Sequence, residues 1–458
     1  MLRRLTSLAA AVVLVASAGR ASAQEGGEQR APDHMVVRLD ADTYLRLFER
    51  AALPGPNGAL VAQTVAAPLY EYATLRVENI DMPWQDASVD VDFSAWGDLN
   101  LGENSDLQRL DGDVTAASVV QRFGWAYAKL GRQVQAGGAA RVSRLDGLTL
   151  GVTTPWGLGA TAYGGWTVLP RWDERPGYYL LGSAADTIMR NPDAIPAPTR
   201  SGNWMAGGRL FYSYESYVQA GASFHEQRDN GDLDRRNLGF DVHVVPHKMV
   251  AVTGKAILDA DVWNLTDARA AVDVYPLDEL SLAAEYSHAT PSLLLSRTSV
   301  LSVFSLDAFD EAGASATVRP LSSWKIGASG YADVFSGSDV GARLDAFSSL
   351  DLKKWVPLLL RAEYGWVAEP TNGYHSARIS AVFRPIDPLA FTAETYLYFY
   401  KAPINNVPLS TVGVLSGEWT VDKGWAVLAS GSLARTPYSK IDAQALARLR
   451  ISQDWELP

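Results

Sequence analysis

The chain has no cysteine among its 458 residues, so no disulfide can brace it. Histidine is scarce, at six, and no HExxH pair or serine-nucleophile motif accompanies any of them. His225, Asp241 and His243 share one parity of neighbouring segments, the nearest approach to a metal or Ser–His site. They are read as ordinary polar groups, so the expectation is no enzyme, no metal and no cofactor. Basic residues fall short, with Lys+Arg 40 against Asp+Glu 51 and a net charge of −11, a poor balance for binding nucleic acid. Long apolar runs are missing except at the start. There Arg3 and Arg4 precede the apolar Leu8–Ala18, and Ala21-Ser22-Ala23 precedes Gln24. This is the pattern of a secretory signal peptide over residues 1–23.

What the chain has in quantity is alternation. Trp204, Ala206, Gly208, Leu210 and Tyr212 share one parity, and Asn203, Gly207, Arg209 and Ser213 the other. Met205 and Phe211 break the polar parity. The pattern resumes five times before Thr290. The polar parity there holds Arg209, Asp241, His243, Lys255, Arg269, Asp273 and Glu285. A period of two puts one set on each face of a sheet. One face is oily and the other charged. A soluble sandwich hides its oily face under a second sheet, whereas a transmembrane barrel turns it to lipid.

The second half follows the same rule. Its polar parity carries Lys325, Arg343, Arg361, Glu363, Arg378, Glu394, Arg448 and Arg450. So many charges cannot sit in a dry interior, where each unpaired ion costs several kcal/mol. These residues are therefore expected to line a wet lumen. Lys325, Arg343, Arg361 and Arg378 fall one per successive strand, while the first trusted strand carries Asp90, Asp92 and Asp98. One reading is a transverse field across a pore. The plainer one is that Arg361–Glu363 and Arg343–Asp345, two apart on one strand face, neutralise each other.

Two kinds of connection alternate. Tight ones include Thr154-Pro155-Trp156-Gly157, Val245-Pro246-His247-Lys248 and Tyr275-Pro276-Leu277-Asp278. Longer ones include 102–112, 170–202, 227–235, 288–310 and 401–409, of which 170–202 and 288–310 are candidates to fold into the lumen. Short turns at one end and long loops at the other mark outer-membrane barrels. Aromatics of the oily parity cluster near both ends. Tyr212, Trp324, Trp419 and Trp425 sit by the tight turns, and Trp166, Trp204, Tyr286 and Trp366 by the long loops. Two such belts are expected where rings meet lipid headgroups.

Residues 24–66 precede the trusted pattern. Asp42 is placed to cap a short helix over 43–52, with Tyr44, Leu47 and Phe48 on one side. The expected division is a signal peptide over 1–23, a periplasmic segment with this helix over 24–66, and a barrel over 67–458. The fold class is all-β: a transmembrane antiparallel up-and-down barrel of about twenty strands, within eighteen to twenty-two. Asp111-Gly112-Asp113 and Asp229-Asn230-Gly231-Asp232 have some oxygen ligands for Ca²⁺ on loops, though neither set is full.

Ala126–Gln133 reads Ala-Tyr-Ala-Lys-Leu-Gly-Arg-Gln, and Arg144-Leu145-Asp146-Gly147 follows. These twenty or so residues resemble early strands of porin-like channels of Gram-negative outer membranes, including substrate-specific porins and alginate-export-type barrels. The resemblance implies a water-filled pore crossed by diffusion past inward loops. The expected partners are outer-membrane lipid, small polar solutes, and the barrel-assembly machinery with periplasmic chaperones. A loop-closed barrel for polymer export or partner binding, and a surface hydrolase, stand as alternatives.

Overall fold

The computed structural model describes residues 34–50, 64–82, 87–102, 110–168, 202–294, 308–336, 339–369, 372–422, 424–437 and 440–457. Almost all of them are strand. Each strand pairs antiparallel with its sequence neighbours, from Pro68–Asp81 on Ala87–Asn100 round to Trp425–Arg435 on Asp442–Leu457. Met35–Arg50 closes the ring. It pairs with the last strand from Met35↔Leu457 to Phe48↔Gln444, and on its other edge with Pro68–Asp81. Thr64–Ala66 continues that second line opposite Phe48–Arg50. The 23 strand segments therefore form 22 staves of a closed barrel, an even number with no free edge.

The first stave corrects the expected N-terminal helix. Residues 43–50 belong to the strand Met35–Arg50, and the barrel begins at Met35 rather than at 67. Asp42 caps nothing; it accepts from Arg448 Nε at 2.8 Å and lies 3.5 Å from Arg450 Nε across the closing seam. The physical reason is competition between two periods. Tyr44, Leu47 and Phe48 fit a helical stripe, but Leu39, Ala41, Leu45 and Leu47 also fit a period of two, and edge closure favours the second. The signal-peptide assignment, most of the 170–202 loop and residues 295–307 of the 288–310 loop lie outside the described residues.

The described tight turns fall where proline suggested. Strands end at Thr153, His247, Leu277, Leu321 and Ile386, and the next begins within a few residues. Two connections expected to be long are not. Asn230-Gly231 joins Val218–Asp229 to Asp232–His247, and Asn405-Asn406 joins Leu389–Ile404 to Val407–Asp422. Both pairs have positive φ (51° and 89°, 50° and 62°), the geometry of a two-residue turn whose twist matches its strands. This turn also displaces the Ca²⁺ reading of 229–232. Asp113 likewise belongs to the strand Leu110–Phe123 rather than to a loop.

No second layer covers the wall among the described residues. Among the described residues only ten apolar side chains are buried, far too few for a sandwich core. On the outward parity Leu210 and Leu415 are each 65% exposed and Leu433 66%. Burying one such side chain is worth about 1.5–3 kcal/mol, so this surface is suited to an apolar surrounding.

Candidate functional site

The inner face can be followed from strand to strand. Gly221 stands opposite Asp241, Asp241 opposite Lys255, and Lys255 opposite Arg269. Arg269 reaches Glu285 at 2.6 Å, and Glu285 stands opposite Gly313. Gly313 faces Tyr331, which faces Arg343. Residues directly opposite share a face, so these side chains point to one side of the wall. That side is concave. The 3₁₀ turn Gly138–Ala140 leaves the wall at one place and packs on this same face, at Ser223, several strands away, which only a chord through the lumen permits.

The sequence's lumen candidates pair across strands. Arg209 meets Asp241 at 2.7 Å, and Lys255 meets Asp267 at 3.1 Å. Arg343 lies 3.3 Å from both Glu311 and Asp345. Arg361 bonds Glu363 at 2.5 Å, and Arg378 spans Glu363 at 3.3 Å and Glu394 at 2.6 Å. Arg448 and Arg450 converge on Asp42. His243 Nδ1 lies 3.0 Å from the Thr253 hydroxyl, and Asp273 stands opposite Ala251 and Ala283. Lys325 Nζ lies 5.7 Å from the centre of the Phe347 ring. Three members of the basic file, Arg343, Arg361 and Arg378, are thus answered by carboxylates, and Arg343–Asp345 and Arg361–Glu363 pair as the same-face reading expected. Yet Arg269 is 56% exposed and Asp345 49%, so water reaches the lumen wall.

Among the described residues, the hairpin Ala126–Thr153 narrows the lumen. Ala126–Gly137 pairs with Leu110–Phe123 only as far as Arg132↔Ala117, while its pairing with Arg141–Thr153 runs on to Gly137↔Arg141. Beyond Arg132 the hairpin has left its neighbour and leans inward. The motif residues sit at this hinge. Arg132 donates to both oxygens of Asp146 at 2.8 and 3.0 Å, to Asp113 at 3.2 Å and to the Val114 carbonyl at 2.9 Å. Arg144 lies 3.5 Å from the same Asp113, and Gln133 Nε2 donates to the Gly147 carbonyl at 3.1 Å. Gly131 has φ +120°, a left-handed conformation that a side chain would strain. The planar fork of Arg132 therefore ties the departing hairpin to the strand it leaves.

At the hairpin tip, Ala139 N donates to Ser223 Oγ at 2.8 Å, and Asn237 Nδ2 donates to the Ala139 carbonyl at 3.3 Å. Arg141 reaches Asp267 at 3.6 Å. Beneath the tip, the Tyr163 hydroxyl meets His225 Nδ1 at 2.9 Å across Gly207, and His225 is wholly buried. His225 therefore supports the constriction. It stands opposite Asn237, six residues along the strand from His243, or about 20 Å at strand rise. His225, Asp241 and His243 do not come together. The sequence reading missed the hairpin tip, Ser223, Asn237 and Tyr163; the Gly137-Gly138-Ala139-Ala140 run was their only local signal.

Of the expected belt aromatics, Trp166, Trp204, Tyr212, Tyr286, Trp324, Trp419 and Trp425 are exposed, and Trp366 is half-buried on the same outer parity.

The site is therefore the lumen of a closed β-barrel, ion-lined and, among the described residues, narrowed by the inward hairpin. No family model matches the chain, and no curated protein matches it in sequence. Solved structures resemble it in outline. The outer membrane protein OpdK of Pseudomonas aeruginosa is 10% identical, over 92% of this chain and 99% of that one, with a TM-score of 0.42. OccK2 (OpdF) of the same organism, in complex with glucuronate, is 11% identical over 94% and 100%, with a TM-score of 0.44. OccAB4 of Acinetobacter baumannii is 8% identical over 94% and 100%, also at 0.44.

Proposed function

We propose that this chain is an outer-membrane channel through which small polar solutes diffuse passively. One observation carries the reading: a closed wall holds half-exposed ions inside and uncovered leucines outside. Ions on the concave face require water, and an apolar convex face requires hydrocarbon. The N-terminal segment directs export, chaperones and the barrel-assembly machinery insert the folded wall, and lipid covers it. The tight-turn end faces the periplasm and the longer connections face outward. The inward hairpin sets the size limit, and solute moves down its own gradient. In planar bilayers the pure, heat-modifiable protein is expected to insert in discrete, ohmic conductance steps. Folded protein that inserts without conducting overturns the reading.

A further inference from the structure

The lumen wall between Phe309–Leu321 and Leu389–Ile404 carries a trough of about 530 Å³. That is within the range of ligand pockets, about 300–1,000 Å³. Its floor is a row of small residues: Ser315, Ser329, Gly365 and Ser376 follow one another from strand to strand, with Asp345 among them. A side chain at Gly365 would meet Ser376 Oγ and Asp345 Oδ1, so glycine keeps the floor low. One bank is the row of Phe347, Glu363, Arg378 and Tyr396. The other is Tyr331. Tyr398 stands at the end of the floor, opposite Ser376.

The charges here are already matched. The trough is lined by two arginines, Arg361 and Arg378, and two carboxylates, Asp345 and Glu363, giving zero net charge. Glu363 bonds both arginines. Each guanidinium also lies over a ring, Arg361 at 4.6 Å from Phe347 and Arg378 at 5.1 Å from Tyr396, so neither is mobile. An anion entering here must displace a carboxylate already in place, and a cation must displace a guanidinium. A neutral polyol displaces neither. Its hydroxyls donate to carboxylate oxygens and accept from the guanidinium N–H groups beside them. Its C–H faces need an open aromatic ring, and Tyr398 offers one. Tyr374 braces it edge-on with ring centres 6.0 Å apart, and among the described residues no cation lies over it.

We propose that this trough is a binding station for neutral sugars on the solute path, an inference that rests on the channel reading. The test uses the full-length protein in planar bilayers at fixed ionic strength. Maltotriose at roughly millimolar concentration is expected to interrupt the current at a rate that rises with its concentration. Glucuronate at the same concentration is expected to leave the current unbroken. Tyr398→Ala is expected to weaken the maltotriose effect about tenfold, read relative to that variant's own open-channel current. Glu363→Gln, which frees two arginines from their shared partner, is expected to make glucuronate an effective blocker. A conducting channel indifferent to maltotriose, equal block by glucuronate in the unaltered protein, or an unaffected Tyr398→Ala each overturns the proposal. Calorimetry in detergent reads the trough without conduction. Binding of maltotriose that Tyr398→Ala weakens about tenfold supports the proposal, and no binding, or binding that Tyr398→Ala leaves unchanged, overturns it. A protein that conducts but does not bind overturns the station alone; one that binds but does not conduct overturns the channel and keeps the trough.

Discussion

The inward hairpin is held at its tip by few bonds, so the effect of cutting one can be worked out. Ser223 Oγ accepts from Ala139 N at 2.8 Å and donates to the Gly239 carbonyl at 3.2 Å. Ala139 is wholly buried. In Ser223→Ala its N–H is left in a buried place without that acceptor, at a cost of about 1–3 kcal/mol. Taking about 2 kcal/mol, the balance between seated and released tip moves roughly 30-fold toward release. The Asn237 and Arg141 contacts remain, so the hairpin loosens rather than unfolds. Single-channel recording reads this as time spent in a wider conductance level, expected to rise about as much as the equilibrium shifts. Gly239→Ala tests the same seat from the other side. Its methyl would come within 2.5 Å of Ala139 N, so the tip must move. If both variants give the unaltered protein's conductance histogram, the hairpin does not set the width of the path.

Three other outcomes follow from the geometry. Arg132→Ala removes the fork on Asp146 and the bonds to Asp113 and Val114, and is expected to cost about 2–3 kcal/mol. Arg132→Lys should recover less than half of this in urea titrations of vesicle-folded protein followed by tryptophan fluorescence; full recovery would show that charge alone matters. Asp42→Ala at the closing seam is expected to cost about 1 kcal/mol, with the loss shrinking in high salt, because Asp42 and Arg448 are each 27% exposed. A salt-independent loss would place the cause in packing. Asn405→Val puts a branched side chain at φ 50° and should destabilise the barrel by about 1–3 kcal/mol in the same titration, against no change for Asn405→Gly.

The parts of this molecule legible in sequence are those governed by local period. From Val218 to Tyr286, outside the bulges near Gln227 and Ile257, a residue's face follows odd or even position, so Asp241, Lys255 and Arg269 could be put on one side without knowing their partners. Arg361 with Glu363 was legible for the same reason, being two residues apart. What depends on register was not. Asp267 and Glu311 complete ion pairs on strands whose alignment no local signal gives. The first stave was misread because its partner is 406 residues away at Arg448, while Tyr44, Leu47 and Phe48 also satisfy a helical spacing. Asn230-Gly231 is a strong hairpin signal, but the flanking Asp229 and Asp232 drew a loop reading instead. The inward hairpin was hidden because Gly137–Ala140 carries no charge and looks like any turn. Its role lies in where its neighbour strand stops pairing, at Ala117↔Arg132.

The account depends on adjacent residues facing water and lipid in turn, and a chain without cysteine is well suited to a direct check. Leu344→Cys and Asp345→Cys, one on each face of the strand Val340–Asp351, would be folded into lipid vesicles and treated with a membrane-impermeant charged thiol reagent. The account predicts rapid modification at 345 and none at 344, with 344 reacting only with a lipid-soluble maleimide. Equal modification at both positions, or modification at 344 alone, would contradict it.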